Sequence, residues 1–246
     1  MNTFPGKLAV SLGVDVEPDC PPYLATQYRG IEEGLPRVLD AIDEAGVVAT
    51  CFCTGQVAER FPARIRDVIA RGHELGCHGH THQRFDRMPP ADAQLDLRAA
   101  TAALRAFGAP VTSFRAPNLR LPTACLPLLV EEGYLVDSSQ ARYKAEYYGP
   151  PARTPLTRIP ASMTSSVLRL PRWLRDRWLL SLASPVVLFV HPWEFVDLTR
   201  ERLRLDCRFR TGEPALRAVR EVIDLFQRRG ATFVRMDRLG AQLAAA

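Results

Sequence analysis

The chain has 246 residues, of which 47% are hydrophobic and 24% charged, the balance of a soluble globular protein that folds without disulfide or metal staples. Its net charge of +5 is carried almost entirely by arginine, and the lack of a compact basic stripe with interleaved aromatic residues predicts no nucleic-acid partner. No apolar run approaches the ~20 residues that span a bilayer, and no secretory signal is visible, so the expected location is the cytoplasm.

Short strand-like runs alternate along the chain with longer segments of helical apolar period. The predicted strands cover residues 8–14, 47–53, 74–77, 111–114, 134–136, 186–190 and 231–236. The predicted helices cover residues 32–45, 63–71, 90–107, 126–132 and 213–229. Repeated strand-then-helix units predict an α/β fold with a mostly parallel sheet, open or closed into a barrel, and functional side chains that gather where strands end.

The stretch 142–185 departs from this alternation, because it is rich in Pro, Arg, Ser and Tyr and has no clear period before residue 168. We interpret it as an irregular insertion in a single domain that spans residues 1–246. Its last part, 168–182, mixes Trp, Leu and Arg as interfacial helices do, which leaves a peripheral membrane contact open. A helix that packs on the barrel with its arginines reaching out to water is the simpler interpretation.

The first polar cluster is the segment DVEPD, which begins at Asp15 at the end of the first predicted strand. Residues two apart share one face of a strand, so Asp15 and Glu17 can point into one cavity. Two carboxylates in one cavity need a cation or a proton to coexist. Acidic residues that cap a helix or lie in water would give the same pattern.

The second cluster is the run GHELGCHGHTH, which begins at Gly72 and holds four of the five histidines. Neutral imidazoles supply the nitrogen ligands that a zinc-like ion prefers. His78 and His82 would meet on one face of a helical turn, whereas His78, His80 and His82 would align in an extended segment. A histidine run that is merely solvated is the interpretation without function.

Three more polar clusters follow predicted strands, at residues 114–118, 137–139 and 191–194. Arg115 can orient a carboxylate or hold an anionic substrate, although a surface arginine in a proline turn fits as well. Asp137 fits a helix N-cap as well as a functional carboxylate. His191 follows the best predicted buried strand and stands near Trp193 at the expected rim, which favours function, although lone histidines at strand ends are often structural.

In this order, the DVE acid pair, GHELGCHGHTH, FRAPN, the DSS segment and FVHPWE resemble the NodB-homology polysaccharide deacetylases, carbohydrate esterase family four. The resemblance covers roughly residues 8–236. The DVE, DSS and HPWE motifs are closer to the exopolysaccharide-type branch than to chitin deacetylases. The resemblance implies a distorted (β/α)7-type barrel, which agrees with the alternation of strands and helices.

The resemblance also implies a divalent metal, with zinc first and Co, Ni, Fe or Mn as alternatives. Three residues match the metal ligands of the family: Glu17, His78 and His82. The adjacent Asp pair of many members is replaced here by Asp15-Val16-Glu17. The metal-binding carboxylate therefore stays open between Asp15, Glu17 and Asp19.

Further roles come from the same resemblance. Asp15 matches the general base, and Arg115 matches the arginine that orients it. His191 matches the general acid, and Asp137 matches the carboxylate that tunes that histidine. These matches imply that a water attacks an amide and that the histidine protonates the leaving amine.

Two residues are expected to contact the substrate. Asn118 stands where the family has a tyrosine whose backbone N–H binds the oxyanion, and Trp193 is expected to stack on a sugar ring. The implied reaction removes an N-acetyl or N-formyl group from an amino sugar or its conjugate. A cytoplasmic enzyme would act on a free, nucleotide-linked or lipid-linked sugar, the last at the inner membrane face.

Two other functions are compatible with the same fold. An allantoinase-like relative would hydrolyse a linear or cyclic amide outside sugars, with or without a metal. A degenerate barrel would bind a glycan without cleaving it. The joint presence of Asp15, His78, His82 and His191 favours the deacetylase, because the matches to the base, to two metal ligands and to the acid are all retained.

Overall fold

The computed structural model describes residues 8–245, which form eight strands and nine α-helices. The strands are β1 (Ala9–Val16), β2 (Thr50–Cys53), β3 (Glu74–Cys77), β4 (Ser113–Phe114), β5 (Val136–Asp137), β6 (Thr157–Arg158), β7 (Val186–Val190) and β8 (Thr232–Phe233). The helices are α1 (Leu35–Glu44), α2 (Gly55–Arg60), α3 (Pro62–Ala70), α4 (Pro90–Arg105), α5 (Leu126–Glu131), α6 (Arg172–Leu180), α7 (Leu205–Arg208), α8 (Glu213–Arg228) and α9 (Met236–Ala244).

All the strand pairs are parallel, in the order β6-β5-β4-β3-β2-β1-β7, and β8 also pairs with β1. The sheet curls into a half-barrel that stays open between β6 and β7. Ser162 bridges this opening: its N–H donates to the Val187 carbonyl at 2.8 Å, and its hydroxyl accepts from the Val187 N–H at 2.9 Å. The α/β barrel prediction is therefore confirmed, in an open form.

Strand β1 lies in the middle of the sheet, where it pairs with β2, β7 and β8. All of its residues are buried, and its sequence AVSLGVDV is nearly continuously apolar, as expected for a parallel strand covered on both faces. It continues two residues beyond the predicted strand, to Val16. Asp15 consequently belongs to the strand, and Glu17 follows it directly.

Helix α8 covers one outer side of the sheet next to α1. Its apolar residues recur every three or four positions and are all buried: Ala215, Leu216, Ala218, Val219, Val222, Ile223 and Phe226. This stripe explains why the helix was predictable from its period alone.

The C-terminal segment differs from the prediction. The strand predicted over residues 231–236 is limited to Thr232–Phe233, and α9 begins at Met236. The Met236 N–H donates to the hydroxyl of Thr50 at 2.8 Å, and Met236 and Leu239 are fully buried. Because Thr50 is the first residue of β2, α9 closes the end of the barrel opposite to the carboxyl ends of the strands.

The stretch 142–185 is only partly an irregular insertion, because it supplies β6 to the sheet and α6 to the outer surface. Helix α6 buries Arg175, whereas Trp173 and Trp178 are 71% and 52% exposed. Arg172 and Arg177 are exposed, as expected for a helix that packs on the barrel, whereas the burial of Arg175 was not expected. Within residues 8–245, no helix is long and apolar enough to cross a membrane.

Candidate active site

A cavity of about 380 Å³, the catalytic cavity below, opens at the carboxyl ends of the strands. Seven of the residues predicted for the site line it: Asp15, Glu17, His78, His82, Asn118, His191 and Trp193. Arg115 and Asp137 are fully buried behind this lining. The carboxyl ends of β1, β3, β4, β5 and β7 thus bring together residues that are up to 178 positions apart in the sequence, from Asp15 to Trp193.

Three of the lining residues form a candidate metal site. Ligand atoms of Glu17, His78 and His82 all lie within 4.8 Å of one another. The Glu17 Oε2 atom is 3.3 Å from His78 Nε2 and 2.5 Å from His82 Nε2. His82 Nε2 is buried and has no hydrogen-bond partner among residues 8–245, although the carboxylate is so close. The ring nitrogens and the carboxylate therefore converge on one point without forming a regular hydrogen bond to His82.

The tautomer of His78 explains why a cation fits this point. Its Nδ1 atom lies 2.7 Å from the Arg115 carbonyl, which can only accept, so Nδ1 carries the proton. In the neutral ring, the lone pair of Nε2 then faces the Glu17 carboxylate. Two electron-rich atoms in contact require a proton or a cation between them. The donor set of two imidazoles and one carboxylate is one that zinc accepts, and it fits a divalent metal.

Two other candidates for the metal site point elsewhere. The carboxylate of Asp19 accepts hydrogen bonds from the Arg29 and Gly30 N–H groups at 2.9 and 2.8 Å. His80 lies outside the ligand group and packs against Gly55, at the start of α2. The residues 78–82 are neither helical nor extended, so neither of the two predicted conformations is correct.

The loop 78–82 is held by Asp96, a buried carboxylate on α4. Asp96 accepts from the N–H of His80 at 2.7 Å and from the N–H and hydroxyl of Thr81 at 3.0 and 2.6 Å. Gly79 and His82 have left-handed backbones, with φ of 74° and 61°. This reversal of the chain brings the rings of His78 and His82 to a centroid distance of 5.1 Å.

Asp96→Asn should therefore lower metal affinity by about 10–100-fold, because partners that orient ligands have effects of this size. The amide would place a donor against the N–H and hydroxyl groups of the 78–82 loop. Metal affinity would be measured by competition with a chromogenic chelator, with the exposed Asp92→Asn on the same helix as the control. Equal affinities in wild type and Asp96→Asn would show that the loop keeps its shape without this carboxylate.

The proposed base, Asp15, is held by a fully buried arginine. Arg115 Nη1 donates to Asp15 Oδ1 at 2.7 Å, and Nη2 donates to the Ser138 hydroxyl at 3.0 Å. The guanidinium also lies 4.2 Å above the centroid of the Phe52 ring. Of the two sequence interpretations, the surface arginine is wrong, and Arg115 orients a carboxylate, as predicted.

The next loop braces the same arginine. The Ser139 hydroxyl accepts from the Ala116 N–H at 2.8 Å, so the DSS segment holds both the Arg115 guanidinium and the residue that follows Arg115.

Gly13 on β1 supplies the space that Arg115 occupies. A Cβ atom at residue 13 would lie 2.5 Å from Arg115 Nη1, closer than two such atoms can approach. Gly13→Ala should therefore displace the guanidinium, lower kcat at least about tenfold, and cost about 1–3 kcal/mol of unfolding free energy as overpacking does. Steady-state kinetics and urea unfolding would measure both, with Gly149→Ala as the control because its Cβ meets nothing closer than 3.4 Å. Wild-type kcat in Gly13→Ala would contradict this account.

The proposed acid, His191, is bound on one side by Glu194. His191 Nδ1 lies 2.7 Å from Glu194 Oε1, and the other ring nitrogen, Nε2, lies 4.0 Å from Glu17 Oε1. Burial by itself lowers the pKa of His191, but the carboxylates of Glu17 and Glu194 outweigh it and raise the pKa to about 9. The Glu194 carboxylate beside Nδ1 therefore favours the protonated ring, whose second N–H lies on the cavity side.

Arg169 in turn holds Glu194 ionised. Burial raises the pKa of Glu194, but the charge of Arg169, whose Nε lies 2.8 Å from Oε2, and the bond to His191 bring it below the usual range. Both side chains are almost fully buried. His191 is thus held by a buried pair of opposite charges, Glu194 and Arg169.

The predicted contact between Asp137 and His191 is wrong. Asp137 Oδ2 instead pairs with Arg158 Nε at 2.8 Å, and Oδ1 accepts from the Ser139 N–H at 2.9 Å. Asp137 lies in β5, on the side of the sheet that continues to β6, and Glu194 takes the position beside the histidine. The sequence signal for Glu194 was its i+3 spacing from His191 in HPWE, which lets both side chains meet on one short turn.

Trp193 makes two contacts within the site that the sequence did not predict. Its ring stacks on His191 at a centroid distance of 4.8 Å and an interplanar angle of 19°, and the residue is only 5% exposed. Its indole N–H donates to Glu17 Oε1 at 3.1 Å. Trp193 therefore positions the carboxylate of Glu17, and its contact with a sugar stays a prediction.

Strained backbone also concentrates at the cavity. Four non-glycine residues that line it have left-handed φ angles: Cys20, His82, Asn118 and Leu119. Such conformations cost of order 1–3 kcal/mol each and persist where surrounding contacts impose them. Asn118 is held in this way by Lys144, whose ammonium donates to the Asn118 carbonyl at 2.6 Å. The backbone of Asn118 faces the cavity as a fixed element, and its contact with substrate stays a prediction.

Comparisons with known proteins agree with this geometry. A family model described as polysaccharide deacetylase matches residues 9–136, just over half of the chain. A relative from Gibberella zeae, named peptidoglycan deacetylase-like protein FGM2, is 29% identical over 141 residues, which cover 56% of this chain and 42% of that relative. The chain thus spans less than half the length of this curated relative.

Two solved structures share the fold. A family 4 carbohydrate esterase from Streptomyces lividans in complex with acetate superimposes with a TM-score of 0.63 at 16% identity, covering 92% of this chain and 91% of the other. A Mycobacterium smegmatis protein named for the polysaccharide deacetylases gives 0.69 at 20% identity, with 98% and 92% covered. At these identities the likeness shows the fold alone.

Proposed function

The chain belongs to the polysaccharide deacetylase family, and on this premise we propose that it is a metal-dependent hydrolase that removes an N-acetyl group from an amino sugar or its conjugate. One observation carries the proposal: a metal-type ligand group, an arginine-held carboxylate and a carboxylate-held histidine all face one cavity. Each of these three parts serves a different step of amide hydrolysis.

The ligand group Glu17, His78 and His82 would hold the divalent ion, and zinc is the first choice for these donors, with Co, Ni, Fe or Mn as alternatives. When bound, such an ion supplies Lewis acidity to an amide carbonyl and to the attacking water. Asp15 takes one proton from this water. Arg115 keeps the carboxylate of Asp15 in place through its bond to Oδ1. The water oxygen forms a bond to the carbonyl carbon.

The leaving amine needs a proton before the carbon–nitrogen bond breaks. His191 is the donor, because the Glu194 carboxylate beside its Nδ1 favours the protonated ring and its Nε2 faces the cavity. Glu194 keeps the ring oriented through Nδ1, so that only Nε2 exchanges its proton. The products are acetic acid, which ionises to acetate, and a free amine; Asp15 releases its proton to solvent, and His191 takes one back from solvent.

The two other functions lack support of equal weight. A glycan-binding barrel has no need for a buried Arg169–Glu194–His191 chain that keeps a histidine charged. A metal-free amidohydrolase would need a proton in place of an ion between the Glu17 carboxylate and the His78 and His82 rings. The proposal also has three finer parts. They are the identity of the sugar, the acyl group (acetyl or formyl), and whether the sugar is free, nucleotide-linked or lipid-linked.

The test is hydrolysis by the metal-loaded protein of three amides: an N-acetylglucosamine conjugate, its N-formyl analogue and a cyclic amide such as a hydantoin. Equal amounts of acetate and amine from the first would support the proposal. Hydrolysis of the cyclic amide alone would replace it with the non-sugar amidohydrolase. Saturable binding of the sugar without cleavage, despite a bound metal, would replace it with the binding barrel.

A peripheral membrane contact through α6 is a further part of the proposal. Trp173 and Trp178 are exposed on this helix beside exposed Arg172 and Arg177, the composition of helices that lie in the interface of anionic bilayers. Trp173→Ala with Trp178→Ala should lower the fraction that sediments with anionic liposomes at least about tenfold. Tyr148→Ala, another highly exposed aromatic, is the control. Wild-type protein that stays wholly in the supernatant would reject the membrane contact.

The predicted cytoplasmic location is a separate part of the proposal, and cell fractionation would test it.

A further inference from the structure

A second cavity, of about 460 Å³, adjoins the catalytic cavity and has an almost wholly apolar lining; we call it the apolar groove. Its lining consists of Ser166, Val167, Leu170, Leu205, Asp206 and Phe209. Ser166 and Asp206 line the catalytic cavity as well. The groove is therefore a continuation of the catalytic cavity toward the surface of the molecule.

The groove is built by a buried arginine. Arg169, 2% exposed, donates to the carbonyls of Phe209, Asp206 and Cys207 at 2.5, 2.6 and 3.2 Å. These bonds fix the wall formed by residues 205–209 against the wall formed by residues 165–170. Arg169 is also the partner of Glu194, so the groove and the acid histidine share one anchor.

Apolar side chains in the groove stay accessible to solvent. Leu205 is 68% exposed, although it sits at the start of α7 with cavity on its inner side. A large exposed leucine that lines a preformed apolar groove indicates a ligand that covers it.

The surface beside the groove is strongly positive. The segment 199–210 contains five arginines against Glu201 and Asp206, a net charge of +3. Arg204 lines the catalytic cavity at the point where the groove begins, and it pairs with Asp206 at 2.8 Å. A phosphate placed between the sugar and an apolar chain would meet this arginine.

We propose that the apolar groove binds the hydrocarbon chain of a lipid-phosphate-linked amino sugar, whose N-acetylated sugar occupies the catalytic cavity and whose phosphate lies near Arg204. This inference rests on the proposed function and selects one of its three carriers. A nucleotide carrier would place a polar base in a groove that offers few polar partners, and a free sugar would leave the groove uncovered.

The experiment compares alkyl phosphodiesters of N-acetylglucosamine with methyl, butyl and octyl chains, all below their micellar concentrations. Each methylene that enters the groove should lower KM about threefold to fourfold, with kcat little changed. Leu205→Glu should remove this dependence on chain length. Leu95→Glu, which changes a leucine of similar exposure on α4, is the matched control and should keep the dependence.

The outcomes separate the groove from the reaction. No acetate from any compound would reject the proposed function itself. Acetate from the methyl compound with the same KM for the octyl compound would overturn the groove proposal and leave the deacetylase intact. A chain-length dependence that survives in Leu205→Glu would also overturn it, because the chain would then bind elsewhere.

Discussion

Replacing His78 and His82 together by alanine should abolish metal binding and with it all measurable deacetylation. Wild-type protein should contain about one transition metal ion per chain by elemental analysis, and the double variant should contain none. The physical reason is that the imidazole nitrogens converge with the Glu17 carboxylate within 4.8 Å, and a carboxylate alone does not retain such an ion. The expected loss of activity is larger than for any other change, because the metal serves both the carbonyl and the water.

His80→Ala is the matched control, because this histidine belongs to the same run but lies outside the ligand group. It should keep the metal. Wild-type protein that holds no metal after reconstitution with zinc or cobalt would remove the basis of the proposed reaction. A double variant that keeps its metal would place the ion elsewhere in the chain.

Asp15→Asn should lower kcat by about 10²–10⁴ without loss of metal, because it removes a general base and leaves the ligands in place. The asparagine oxygen can still accept the bond from Arg115 Nη1, now at 2.7 Å, so the buried guanidinium keeps a partner. KM should change little, since the base acts in the transition state. Kinetics and elemental analysis of the same preparation would measure both quantities.

The same experiment decides which carboxylate binds the metal. Glu17→Gln should lose the ion, Asp15→Asn should keep it, and Asp224→Asn, a surface carboxylate on α8, should change neither metal nor rate. Loss of metal in Asp15→Asn would exchange the roles of Asp15 and Glu17. A wild-type kcat in Asp15→Asn would mean that another group takes the proton from water.

The fold was largely predictable because its strongest signals are local. The apolar run at 186–190 and the strand at 74–77 match β7 and β3 residue for residue, and α8 has a regular buried stripe. The helix α9 was missed although Met236, Leu239 and Leu243 recur at helical spacing, because the strand prediction extended to Met236. Its docking depends on closing the barrel and on the bond from Met236 to Thr50. Such long-range contacts leave little trace in the segment itself.

The site was predictable in its residues and less so in its contacts. Order along the chain placed Asp15, His78 and His191 at strand ends, and parallel topology brought these ends together. The partner of His191 was assigned by resemblance to Asp137, whereas the structure gives Glu194.

The supporting residues were missed for a related reason. Asp96 resembled an ordinary polar position of α4, and Gly13 resembled an ordinary strand glycine. Their functions exist only through distant partners, the loop 78–82 and Arg115.

The most direct test of the account is a metal titration of activity. Chelator-treated protein would receive zinc in steps, and the acetate released from an N-acetylated amino-sugar conjugate would be measured at each step. The account predicts no acetate without metal, a linear rise, and a plateau at about one ion per chain. Acetate release at the full rate from metal-free protein would contradict it.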